Sequence, residues 1–180
     1  GGGTGSNEGV GARGLYMGGA TPTLQTQIDY ITISTLGDAE DFGDLSGVRS
    51  SCNSFGSRIR AAACGGQSPS TTNDTLTIMF STKGETTTDY ATHSAAKKEA
   101  AVVNDRTRAV HCGGGNTIME YITIEQGGTW IDFGNLQVAS EQCMDVSSST
   151  RGVVAEGNNV PGGLSNRLDY FIIQSTGNAT

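Results

Sequence analysis

The sequence predicts an all-β protein made of about four copies of one small antiparallel sheet. Three observations carry that reading. Glycine supplies 27 of the 180 residues while charged residues make up only 16%; a chain so rich in turn formers and so poor in charge does not fit a disordered segment and suits short strands joined by many turns. Ile, Val, Thr and Tyr recur in short runs, the composition that suits strands. Related segments also return along the whole chain, with arginines at 13, 60, 108 and 151 marking a period of roughly 43 to 48 residues.

Each copy contains four strand candidates. The first is clearest in "RSSCNSFGS" (Arg49–Ser57) and "SEQCMDVSSS" (Ser140–Ser149), with a glycine-rich version at Gly2–Val10. It runs through a tight turn near Gly56 or Ser148 into the second, which reads "ARGLYMGG" (Ala12–Gly19), "IRAAACGG" (Ile59–Gly66), "TRAVHCGG" (Thr107–Gly114) and "TRGVVAEG" (Thr150–Gly157). The third is the Ile/Tyr/Thr run: "IDYITI" (Ile28–Ile33), "TLTIMF" (Thr75–Phe80), "MEYITI" (Met119–Ile124) and "LDYFII" (Leu168–Ile173). The fourth follows a glycine turn and carries an acid–aromatic pair, Asp41-Phe42, Asp89-Tyr90 and Asp132-Phe133; the last copy reaches "STGNAT" before its own pair. Consecutive strands with short links pair antiparallel.

The third strand predicts how the sheets pack. Ile28 and Tyr30 point one way, Ile31 and Ile33 the other, so both faces are apolar. A sheet with one wet face would alternate strictly. Each small sheet is therefore expected to be covered on both sides, as in face-to-face units around the axis of a β-propeller. The expected blades span about 1–47, 48–96, 97–138 and 139–180, a single repeat domain of about 15 strands whose last blade lacks its outer strand. Further blades outside this segment, or closure with another copy of the chain, are expected to complete the ring.

Charge narrows the function classes. The net charge is −7 and no basic cluster exceeds Lys97-Lys98, which argues against nucleic-acid binding. The apolar runs are only a few residues long, so no membrane insertion is expected. The acid-rich stretch "STLGDAEDFGDL" (Ser34–Leu45) raises the question of a calcium loop, but its copies keep only the glycine and the Asp–aromatic pair: Asp38, Glu40 and Asp44 become Thr129, Ile131 and Asn135. It is read as a turn plus an anchor, with Phe42, Tyr90 and Phe133 packing between neighbouring sheets and the paired Asp accepting backbone or arginine hydrogen bonds.

A feature present in every copy is architectural first, so Arg13, Arg60, Arg108 and Arg151 are read as structural. The second repeat departs most, with Lys83, His93, Lys97 and Lys98. His111 stands beside Cys112, and adjacent strand residues point to opposite faces, so the two cannot share a ligand. No Ser/His/Asp set, phosphate loop or C-x-x-C is present, and no catalytic residue, metal or cofactor is assigned. Cys52, Cys64, Cys112 and Cys143 are read as buried free thiols, with a Cys52–Cys64 bridge the alternative. Repeat length varies mainly between second and third strands: Arg13 to Ile28 and Arg60 to Thr75 are 15 positions each, Arg108 to Met119 is 11 and Arg151 to Leu168 is 17. Those polar loops, with Thr21, Thr23, Gln25, Gln67, Ser70, Thr72, Asn116, Asn158, Asn159 and Asn166, are the candidate binding face, or else plain solvated connections.

The Gly18-Gly19 strand end, Tyr30, Phe42 and Arg49 together resemble the kelch repeat, with Phe or Tyr where kelch carries Trp. The phrases "DYITIST", "DFGDL" and "SSSTRG" look like the degenerate kelch-like repeats of marine bacteriophage virion proteins. The resemblance implies a kelch-like β-propeller of about four blades of four antiparallel strands. It implies a non-enzymatic structural and recognition module of a phage tail fibre or capsid surface. Its partners would be other virion proteins or copies of itself, with a host surface glycan as a further partner. Its location would be the extracellular particle. The alternative is a secreted or cell-surface lectin-like propeller that binds glycans. A copper oxidase on a kelch scaffold is a third class, which two histidines in the whole chain argue against.

Overall fold

The computed structural model describes residues 13–180, which form four sheets in chain order, antiparallel except for one short parallel pairing, and contain no helix. The strand candidate at Gly2–Val10 lies outside the described residues. Sheet 1 contains β1 (Arg13–Met17), β2 (Gln25–Thr32) and β3 (Glu40–Arg49). Sheet 2 contains β4 (Asn53–Gly56), β5 (Arg60–Cys64), β6 (Asp74–Met79) and β7 (Thr88–Thr92). Sheet 3 contains β8 (Ala101–Asn104), β9 (Arg108–Cys112) and β10 (Asn116–Thr123); after the short β11 (Gly128–Thr129) it continues with β12 (Ile131–Glu141). Sheet 4 contains β13 (Met144–Ser147), β14 (Arg151–Ala155) and, after the two-residue strands β15 (Asn158–Asn159) and β16 (Gly163–Leu164), β17 (Leu168–Ile172).

The register repeats from sheet to sheet. In sheet 3, Ala101, Cys112 and Met119 form one cross-strand row and Val103, Val110 and Tyr121 the next. In sheet 4 the same rows are Met144, Ala155, Leu168 and Val146, Val153, Tyr170. Three apolar clusters lie between successive sheets. Ile28, Tyr30, Phe42 and Leu45 of sheet 1 pack on Ala61, Ala63, Leu76 and Ile78 of sheet 2. Phe55, Ala62, Cys64 and Ala91 pack on Val102, Ala109, Ile122 and Trp130. Met119, Phe133 and Leu136 pack on Val154, Phe171 and Ile173. Non-directional burial of this kind needs only matched apolar faces, which explains why the repeats vary freely in sequence.

The glycine pairs have a specific cause. Gly18, Gly65 and Gly113 sit at φ +67°, +61° and +79°, and a Cβ would lie 2.3, 2.3 and 2.9 Å from the carbonyl oxygens of Arg49, Lys97 and Ser140. The next amide completes the contact: Gly19 donates to Arg49 O, Gly66 to Lys97 O and Gly114 to Ser140 O. The pair thus locks the end of the second strand to the fourth strand or, in sheet 2, to the segment that follows it.

Two expectations need correction. Both faces are covered only in sheets 2 and 3. The outer face of sheet 1 leaves Tyr16 and Ile33 exposed, and that of sheet 4 leaves Met144, Val146, Leu168, Tyr170 and Ile172 exposed, because no sheet among the described residues lies beyond either. The described residues also hold 17 strands, three more than the repeat pattern predicts for them, because the two-residue strands β11, β15 and β16 bridge neighbouring repeats.

Candidate functional site

The arginine of each repeat stacks on a tyrosine of its own sheet. Its guanidinium carbon lies 4.8 Å from the Tyr30 ring centre for Arg13, 4.7 Å from Tyr90 for Arg60, 4.2 Å from Tyr121 for Arg108 and 5.2 Å from Tyr170 for Arg151. Two of the four also reach across to the following sheet: Arg13 donates to Phe80 O at 3.5 Å and Arg108 to Ile173 O at 3.2 Å. In the middle junction the Tyr90 hydroxyl donates to Ile124 O, the corresponding carbonyl, while Arg60 lies 3.6 Å from Glu125. Arg13, Arg60 and Arg108 thus fasten one sheet to the next.

The acid–aromatic segment works at the same junctions. Phe42 and Phe133 are buried between sheets, and their carbonyls accept from Gly84 and Gly177 in the turn of the next sheet. A Cβ on Gly43 or Gly134 would meet Glu85 O or Gly177 O at 2.3 Å, so the "DFG" glycine is required by a backbone-on-backbone crossing. Tyr90 is half-buried against the second cluster. The acids do not behave as expected. Asp41, Asp89 and Asp132 are exposed, and their carboxylates make no hydrogen bond or ion pair among the described residues. In the acidic stretch the carboxylates diverge: Glu40 accepts from Tyr30 Oη at 2.6 Å and lies 3.3 Å from Lys83, while Asp44 accepts from Thr26 at 2.9 Å.

The loops between second and third strands divide into two kinds. Gln67 exchanges backbone bonds with Ser50, and Thr72 accepts from Arg49, whose two Nη groups also hold Asp74 at 2.8 Å each. Burial alone would raise the Asp74 carboxyl, and the Arg49 fork overcomes it and holds the group below its ordinary value. Asn158 and Asn159 form β15 and pair with Ser140 and Glu141 of sheet 3, while Asn116 caps Ile118 N. For these residues the loop is a fastener between or within sheets, because its backbone completes the exposed edge left by the fourth strand. Thr21, Thr23, Ser70 and Asn166 remain exposed, and the half-buried Gln25 folds its amide onto Thr21 O and Thr23 O.

Between sheets 2 and 3 lies a junction that holds a buried lysine, a buried glutamate and two buried histidines. Lys97 Nζ is fully buried, donates to Ile118 O at 2.8 Å and lies 3.5 Å from Glu120 Oε2; Ser94 N donates to Glu120 Oε1 at 2.9 Å. Beside it His111 Nδ1 and His93 Nε2 are 2.7 Å apart, with His93 Nδ1 3.2 Å from Asn73 O and the Trp130 ring stacked on His93 at 4.3 Å. Asn73 O can only accept, so His93 carries a proton on Nδ1 and its Nε2 accepts from His111 Nδ1, while His111 Nε2 lies 3.4 Å from Asn53 Oδ1. Burial pulls His93 down to about 4 and His111 well below the ordinary histidine value. Burial also draws Lys97 below its ordinary value, against the pull of Glu120.

Sequence reasoning noted His93, Lys97 and His111 separately as departures and missed that they meet. The available signal was positional. Lys97 occupies the place of Arg49, and Glu120 and His111 face each other across β9 and β10. No group of three or more His, Cys, Asp or Glu among the described residues is arranged to hold a metal ion. The thiols are all free; burial raises Cys64 and Cys112 strongly and pushes Cys143 up to about 11, which makes them poor nucleophiles at neutral pH. Surface clefts such as those at Tyr30–Glu40 and at Ser57, Ile59 and Glu125 hold about 220 and 260 Å3. No protein-family model and no curated protein matches the chain.

Proposed function

We propose that this protein is a non-enzymatic structural module: a kelch-like β-propeller segment belonging to a bacteriophage virion appendage, where it mediates assembly with other virion proteins. The observation that carries the structural part is the repeated junction. Every sheet has its arginine stacked on a tyrosine, all three junctions hold the aromatic of the fourth strand, and the first and third junctions share the arginine-to-carbonyl bond and the bond from the glycine of the next turn. The titratable groups that could do chemistry are sealed inside a junction as neutral or paired partners, which suits a scaffold. The propeller and the virion placement are supported by the kelch-like motif set and the phage-like phrasing.

Two measurements test this reading. An electron-microscopy map of the purified protein is expected to show sheets radiating about a central axis, and a flat or linear stack overturns the propeller. Peptide mass spectrometry of particles banded from a culture encoding the chain is expected to find it in the particle. Recovery only from cells or from particle-free medium overturns the virion placement.

A further inference from the structure

Each of the three junctions has a giving face and a receiving face, and the described residues leave one example of each without a partner sheet. The giving face of sheet 3 is built from Ala101, Val103, Met119 and Arg108. The same positions of sheet 4 are Met144, Val146, Leu168 and Arg151. Their exposures differ sharply: Val103 and Met119 are 0% exposed, whereas Val146 is 67% and Leu168 65% exposed. Receiving positions show the mirror case. Ile78, Ile122 and Phe171 are buried in sheets 2, 3 and 4, while Ile31, their counterpart in sheet 1, is half-exposed. Tyr16, at the position of Ala63, His111 and Val154, is 60% exposed. Of the large exposed apolar side chains, Met144, Val146, Leu168, Tyr170 and Ile172 share this one face of sheet 4. Contiguous apolar patches of that kind mark interaction surfaces.

The arginine series points the same way. Arg13 and Arg108 each bond the carbonyl just beyond the third strand of the next sheet. Arg151 is stacked on Tyr170 but has no such carbonyl among the described residues. The matching carbonyl on the receiving face of sheet 1 is that of Ile33, whose side chain is itself exposed.

We infer that a second copy of this chain docks head to tail, its sheet 1 seated on the outer face of sheet 4, with Arg151 of one copy donating to the Ile33 carbonyl of the other. The contact continues the junction already made three times within the chain, so it needs no new kind of interface. It is heterologous: two copies closing on each other give a ring, and failure to close gives a fibre. The inference rests on the repeated junction and is independent of the virion placement.

Sedimentation of the full 180-residue protein over a range of concentrations tests it. The expected result is reversible association into dimers or longer multiples of 18.6 kDa. Val146→Asp with Leu168→Glu breaks one face, and Ile33→Asp with Tyr16→Asp breaks the other; each variant alone is expected to be monomeric, with circular dichroism unchanged because these side chains face solvent. Mixing the two variants is expected to restore one heterodimer, since each keeps one intact face. A monomeric wild-type chain at the highest concentration overturns the proposal. So does an Ile33/Tyr16 variant that still self-associates, which would mean that sheet 4 pairs with sheet 4. Neither result would alter a finding of the chain in virions.

Discussion

The middle junction and its two neighbours occupy equivalent places and are filled by different chemistry. Between sheets 1 and 2, and between sheets 3 and 4, Phe42 and Phe133 lie in aliphatic and aromatic clusters, and the charged groups set beside those clusters are Arg49, bonded to Asp74, and the buried Asp169, which accepts from Gln137 N. Between sheets 2 and 3 the same space holds Lys97, Glu120, His93 and His111 alongside Trp130. The repeat therefore specifies a backbone geometry and leaves the filling open, provided that buried polar groups find partners. The two histidines of the chain both lie in the middle junction, so its response to mild acid differs from that of its neighbours.

Breaking the Lys97–Glu120 pair gives the largest expected effect. Lys97→Met leaves a buried carboxylate uncompensated and is expected to lower unfolding stability by roughly 3–5 kcal/mol in urea titration. The double change Lys97→Met with Glu120→Leu, which installs the residue type that sheet 2 has at Leu76, should recover most of that loss. Failure of the double change to recover it would show that the junction depends on the charges themselves.

Acid comes next. His93 titrates at about 4 in the folded chain and near 6.5 when unfolded. Between those values the unfolded chain binds more protons, so stability is complete above pH 6.5 and falls as the pH drops toward 4. The loss from His93 is roughly 3 kcal/mol over that window. His93→Leu with His111→Val, the latter matching Val154 in sheet 4, should flatten the slope in thermal melts from pH 7 to 4. An unchanged slope would place the acid response elsewhere.

Smaller changes sharpen the comparison by testing what all junctions share. Gly65→Ala places a Cβ against Lys97 O in a left-handed conformation and is expected to cost roughly 1–3 kcal/mol. Gly84→Ala, at φ +92° but facing open space, should cost less, and equal losses would show that the close approach is unimportant. Arg108→Gln removes the Tyr121 stack and one carbonyl bond, for roughly 1–2 kcal/mol. Asp41→Asn, exposed and unbonded, should stay within about 0.5 kcal/mol by the same denaturation assay.

The strand pattern was legible because it is local. Ile28, Tyr30 and their copies alternate within one run, and the glycine pairs mark strand ends through a backbone requirement visible in any single repeat. What escaped was set by contacts between repeats. His93 and His111 lie 18 positions apart and meet only because one sheet closes on the next. Asn158 and Asn159 read as solvated polar loop residues because nothing in their vicinity reveals that sheet 3 offers an open edge to pair with. The exposed outer faces of sheets 1 and 4 were equally hidden: Leu168 looks like any interior strand residue until its neighbour is sought.

The turn glycines Gly84 and Gly177 add a consequence for biosynthesis. Each seals the preceding sheet by bonding Phe42 O or Phe133 O from about 42 to 44 positions downstream. A repeat leaving the ribosome therefore stays unzipped along its outer margin until most of its successor has been made. Maturation should proceed in order from the amino end, and a ribosome stalled midway would display one raw β margin, available to any chaperone that grips unsatisfied strands.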